Sequence, residues 1–309
     1  MNVTLLGPQR KTAAARAAVA ELMPSGPIAT VNAGWQERES ESTELDEVLG
    51  GRMCNLELWR RWQELQQADP EYAAAERRLT DVLAEMQALY AIRLGHAMEA
   101  VESLTRRNEV PTVQQAALAD AVRAVQALDD WHLQSVAEAR AEFYAAVRLG
   151  ERDQVLAHRA DVDRMVADAA GMVFAGGHVG VLLHVLHVFD LGRLIRPPLV
   201  AWSAGAMALA ERVVLFHDHA PQGRRHSELY AEGFGVFSSI LPFPHARRRL
   251  RLDDAHHLGL MARRFAPRSC LLLADGIRID LHDHQPLPPG ARYLSADHGV
   301  VQVPTAGEA

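Results

Sequence analysis

The chain is poor in cysteine. Of 309 residues only Cys54 and Cys270 are cysteines, far apart and without CxxC spacing. That excludes a disulfide framework and a zinc–thiolate site, and it fits a reducing compartment. An excess of positive charge is also missing: Lys and Arg total 32 against 39 Asp and Glu, a formal charge of −7. A mildly acidic chain is not built to hold polyanions, so a general nucleic-acid binder is excluded. Long apolar runs are absent too. The most apolar stretch, 171–191, is interrupted by Gly176, Gly177, His178, His184, His187 and Asp190, which is no membrane span. Residues 1–9 lack a basic region ahead of a long apolar run and read as a first strand rather than a signal peptide. Gly176 and Gly177 do not form a G-x-G-x-x-G fingerprint. The expectation is a cytoplasmic protein with no cofactor and with neither nucleic-acid nor membrane partners.

What is present is ample material for a core, with 49% apolar and 23% charged residues. The chain exceeds one ordinary domain, so one large domain or a domain with an insertion is expected. Three textures follow one another. Up to about residue 65, short apolar runs at 3–6 and 28–31 flank a helical pattern over 12–22, a βαβ alternation that predicts a parallel sheet.

From about 68 to 168 the pattern is helical. Asp69 and Pro70 make a good helix start. Leu79, Val82, Met86, Leu89, Leu94, Met98 and Val101 then recur at helical spacing. Residues 108–111 break the run, Thr112 and Gln115 suggest a capping box, and Leu118, Val122, Val125, Leu128, Val136 and Phe143 continue to Gly150, expected to end the helix. This predicts an αα-hairpin inserted over 67–150 into an α/β domain made of 1–66 and 151–309. Tyr90, Trp131 and Tyr144 are then expected to face the body or a second copy, and self-association into a homodimer is favoured over a lid.

After the hairpin the α/β texture returns. The sharpest signal is LVAWSAGA over 199–206: an apolar strand ends, Ser203 sits at the corner, and small residues open a helical pattern running to Val213. A nucleophile elbow needs small residues two before and two after its serine, here Ala201 and Gly205. The turn lifts Oγ clear of the sheet and sets it at a helix N-terminus, where free N–H groups favour developing negative charge.

Ser203 with its flanking small residues resembles the serine peptidases related to dipeptidase E and cyanophycinase, which have the class I glutamine-amidotransferase-like fold. Other segments resemble that family in the same order: VFAGG over 173–177 with Leu182 and Leu183 behind it, FHDHAP over 216–221, LPFPH over 241–245, the Arg-rich run 247–251 and LLLADG over 271–276. Residues 27–35 and 55–59 are similar more loosely. The helical stretch lies outside the resemblance, and His178 and Val179 stand where the family shows Asn, Asp, Gln or Thr.

The resemblance implies a mostly parallel α/β fold and hydrolysis of a short or acidic, even aspartyl, peptide through an acyl-enzyme. It implies Ser203 as nucleophile, His245 as base and Asp218 as the carboxylate that orients it, with Asp275 as the competing acid. Gly176, Gly177 and Ala204 are implied around the oxyanion. The elementary chemistry agrees, since a serine hydroxyl needs a histidine base held by a carboxylate. The rival expectation is a non-catalytic scaffold of the same fold. The pairs His217 and His219, His256 and His257, and His282 and His284 are read as loop histidines, with no metal site. One arginine among 247–251 is a candidate for a substrate carboxylate.

Overall fold

The computed structural model describes residues 3–9, 14–107, 110–218, 226–282 and 285–304. In the first segment, β1 (Val3–Leu6), α1 (Ala14–Leu22), β2 (Ile28–Val31), α2 (Thr43–Val48), β3 (Met53–Asn55) and α3 (Leu58–Ala68) alternate as the apolar runs predict. Two long helices follow, α4 (Pro70–Thr105) and α5 (Pro111–Val147), and then α6 (Asp153–Ala167). The chain returns to the sheet with β4 (Gly171–Phe174), α7 (Val179–Val188), β5 (Leu199–Trp202) and α8 (Ala204–Leu209). The remainder is β6 (Arg212–Leu215), β7 (Glu228–Glu232), β8 (Ile240–Pro244), α9 (Ala246–Arg249), α10 (Ala255–Phe265), β9 (Ser269–Leu273), β10 (Arg278–Leu281), β11 (Arg292–Ser295) and β12 (Gly299–Gln302).

The architecture is mixed α/β. A six-stranded sheet runs β10-β1-β5-β4-β2-β3, parallel except for β10. It unites strands from both sides of the helical stretch. β1, β2, β4 and β5 are buried at every position, which explains why they read as continuous apolar runs rather than alternations. A four-stranded sheet, β12-β11-β9-β8, carries the late strands, with β8 and β9 parallel. β6 and β7 form a separate antiparallel pair. Val213, expected to continue the helix after Ser203, therefore lies in β6; α8 stops at Leu209.

The helical hairpin departs from expectation at its ends. Asp69 caps α4 by accepting the Tyr72 N–H at 2.9 Å. α5 instead opens at Pro111; Val110 before it makes no side-chain cap bond, and among the described residues Thr112 and Gln115 close no box. Proline at the first helical position sets the start two residues early. The end comes at Arg148 in the left-handed region (φ 46°), ahead of Gly150. There the Arg152 guanidinium takes the Val147 carbonyl at 2.6 Å and pairs with Asp69, tying the hairpin's two ends together.

A buried polar cluster fastens this hairpin to the body. Arg264 of α10 donates to both carboxylate oxygens of Asp129 on α5 (2.8 and 2.7 Å), to Tyr90 Oη on α4 (2.8 Å) and to the Ser227 carbonyl (2.6 Å). Tyr90 Oη donates to Asp129 at 2.6 Å, and the His132 ring stacks on Tyr90 at 4.0 Å. Gln87 joins His132 to Glu228 and the Leu229 carbonyl. Tyr90 is thus turned to the body, whereas Trp131 is half exposed under the Arg93 guanidinium. Burial pushes the His132 pKa down to about 4.

Candidate active site

Ser203 follows β5 directly and adopts φ 51°, ψ −125°, a backbone state costly for a side-chain-bearing residue and kept only where the surroundings enforce it. The enforcement comes from close packing on both sides. A Cβ at Gly205 would lie 2.3 Å from the Phe174 carbonyl oxygen, and one at Gly176 would lie 2.8 Å from the Ser203 Cβ. These two glycines let the ends of β4 and β5 approach within backbone contact. Ala201, the other small residue of the elbow, is fully buried on β5.

His245 comes from the other sheet. It follows β8, sits in the left-handed region (φ 57°) and opens α9. Its N–H donates to the Leu273 carbonyl of β9 at 3.2 Å. The two sheets meet here, so that Ser203 Oγ and His245 Nε2 are 3.1 Å apart, within hydrogen-bond reach.

The glycine turn after β4 forms the opposite wall. Gly177 has φ 117°, and a Cβ there would lie 2.2 Å from the Gly34 carbonyl carbon and oxygen. The His178 N–H donates to the Gly34 carbonyl at 2.7 Å. The loop after β2 therefore buttresses the turn. His178, the departure from the family pattern, caps α7: its Nδ1 accepts the Val181 N–H at 3.2 Å, a duty that Asn or Asp can also perform. Tyr230 of β7 closes this side, its hydroxyl 2.4 Å from where a Gly180 Cβ would stand. The N–H of Ala204 is the first of α8 and belongs to the donors that a helix leaves free.

Asp218, expected to orient His245, has its Oδ1 3.2 Å from His257 Nε2, and its Oδ2 accepts the Arg251 N–H at 2.9 Å. Its own N–H donates to the Arg249 carbonyl at 2.7 Å. Burial pushes this carboxyl up, but the His257 ring and the Arg251 N–H outweigh it, and the net shift is downward. Asp275 is exposed in the turn between β9 and β10 and makes no hydrogen bond or ion pair among the described residues. His257 was visible in the sequence only as half of the His256 and His257 pair. His219 and His284 lie outside the described residues.

Arg249, on the helical turn that His245 opens, is half-buried over the Phe216 ring at 5.6 Å. No carboxylate among the described residues pairs with it, and burial lowers its pKa from the ordinary guanidinium value.

No family model matches the chain, and no curated protein matches it. Among solved structures it is similar to a peptidase from an acI-B1 Actinobacterium, at 14% identity and a TM-score of 0.43, over 98% of this chain and 94% of that one.

Proposed function

We propose that the protein is a serine hydrolase that cleaves an amide bond in a short or acidic peptide through an acyl-enzyme on Ser203. One observation carries this reading: a serine held in a strained strand-to-helix elbow with its Oγ 3.1 Å from a histidine Nε2. Backbone strain of this kind costs stability and persists where it aims a functional group.

In the proposed reaction His245 takes the Ser203 hydroxyl proton as Oγ bonds to the carbonyl carbon. It then gives that proton to the departing amine as the C–N bond breaks. Water, activated by the same histidine, releases the acid and restores the serine. The N–H groups of Ala204 and Gly177 supply the oxyanion donors, with Gly176 as the spacer that lets the turn meet Ser203. Asp218 acts from behind, through His257 and the Arg251 backbone, to hold the segment that carries His245. Arg249 is the group for a substrate carboxylate, because it is a half-buried cation with no acidic partner among the described residues. On this reading residues 67–150 are an insertion into a domain of 1–66 and 151–309 with the amidotransferase-like fold.

The test is labelling with a serine-reactive fluorophosphonate. Wild-type protein takes up one label at Ser203, and Ser203→Ala takes up none while melting at the same temperature. Labelling of Ser203→Ala equal to wild type removes the assignment. Absence of labelling and of peptide hydrolysis in the wild type favours the scaffold reading.

A further inference from the structure

The hairpin leaves one face of α4 uncovered. Val82, Leu89 and Ile92 are exposed at 48%, 51% and 61%, and Trp131 of α5 stands beside them at 49%. At about 100° per residue, Arg78, Val82, Glu85, Met86, Leu89, Ile92, Arg93, His96 and Glu99 share one stripe. It lies about 120° around the helix from Leu79, Tyr90, Leu94, Met98 and Val101, which are buried. The inner face is committed: Tyr90, Asp129 and Arg264 bind it to the body. The outer stripe cannot turn inward without breaking that buried pair, so a hinged lid does not cover it.

We propose that a second copy of this chain covers it, α4 against α4, antiparallel about a two-fold axis at Leu89. Charge placement argues for this occupant. With Leu89 facing its own copy, residues whose numbers sum to about 178 lie at one level. Arg78 then meets Glu99 of the second copy on the same flank, and the pair occurs twice by symmetry. Both side chains are exposed, and Arg78 has no acidic partner among the described residues. Between these pairs the apolar residues face each other, with Met86 of each copy against the Arg93 and Trp131 of the other. Arg93 meets no Arg93, since the two stand about 12 Å apart along the axis. The stripe from Arg78 to Glu99 is about 33 Å long and one helix is about 11 Å wide, giving about 360 Å² per copy. That is below the roughly 800 Å² per partner of a standard interface and fits a weak, reversible dimer.

Sedimentation equilibrium over a concentration series tests this without reference to catalysis. The expected result is a reversible dimer for the wild type and a monomer for Leu89→Glu, both with wild-type circular dichroism. Arg78→Glu and Glu99→Arg alone each weaken the dimer about tenfold, and the double exchange restores it. A wild type that stays monomeric overturns the proposal, as does a dimer that survives Leu89→Glu. Failure of the double exchange to restore the dimer overturns the antiparallel pairing about Leu89.

Discussion

Removing the Asp129 carboxylate probes what holds the hairpin to the α/β body. In Asp129→Ala the Arg264 guanidinium keeps only Tyr90 Oη and the Ser227 carbonyl. Tyr90 at the same time loses the acceptor it meets at 2.6 Å. Arg264 is 5% exposed, so water cannot replace the lost oxygens. Breaking a buried ion pair from one side typically costs about 3–5 kcal/mol, because a desolvated charge is left uncompensated. With an m-value of about 3 kcal/mol/M in urea, the unfolding midpoint falls by about 1–1.7 M. The double variant Asp129→Leu, Arg264→Met removes both charges and is expected to cost clearly less than Asp129→Ala. Hydrogen exchange adds the location: α5 amides near Val125 and Leu128 lose protection ahead of those in β4 and β5. A midpoint shift below about 0.3 M, or a double variant weaker than the single one, refutes the view that this pair fastens the hairpin.

Other expectations concern the site and its surroundings. Gly176→Ala puts a Cβ 2.8 Å from that of Ser203 and so displaces the nucleophile. Fluorophosphonate labelling is expected to slow about 100-fold with the fold intact, and wild-type labelling refutes the contact. His132 is buried and His187 half-buried, and desolvation pushes both pKa values down to about 4. The unfolded chain, with an ordinary histidine pKa of about 6.5, binds protons first as pH falls. Stability is therefore full above about pH 6.5 and declines toward pH 4 by up to about 3 kcal/mol per histidine. Melting temperatures across that window read this, and His132→Phe is expected to flatten the slope; an unchanged slope counts against it. Asp218, with its pKa lowered in the folded state, contributes stability above the ordinary Asp value that is lost as pH drops through its own. If it acts on His245 through His257, then Asp218→Asn and His257→Phe slow Ser203 labelling alike, and combining them adds nothing. Additive losses refute a shared route.

The elements that surround Ser203 were legible because their constraints are local. An elbow requires small residues at fixed offsets, and Ala201 and Gly205 announce them two positions to either side of the serine. Fully buried strands likewise declare themselves as unbroken apolar runs at 3–6, 28–31, 171–174 and 199–202. His245 was placed beside Ser203 only through the resemblance of LPFPH over 241–245 to a peptidase strand that ends in a histidine. The carboxylate could not be assigned by the same logic. His245 and His257 both lie within forty positions of Asp218, and which of them it meets depends on where α10 packs, a relation that no local pattern encodes. The long helices pose the same problem in another form. Val82 and Leu89 share the apolar chemistry of Leu79 and Leu94 and a spacing compatible with one stripe, yet they are exposed on a neighbouring face of α4, about 60–140° around the helix. Helical periodicity says that a face exists; only a partner decides which face is inward. Here the partner is a single arginine, Arg264, whose charge would place it on the surface by composition alone. It is buried because Asp129, Tyr90 and the Ser227 carbonyl converge on it from three separate elements. The side of the hairpin that faces the body was thus set by polar residues, which leaves the apolar stripe free for another use.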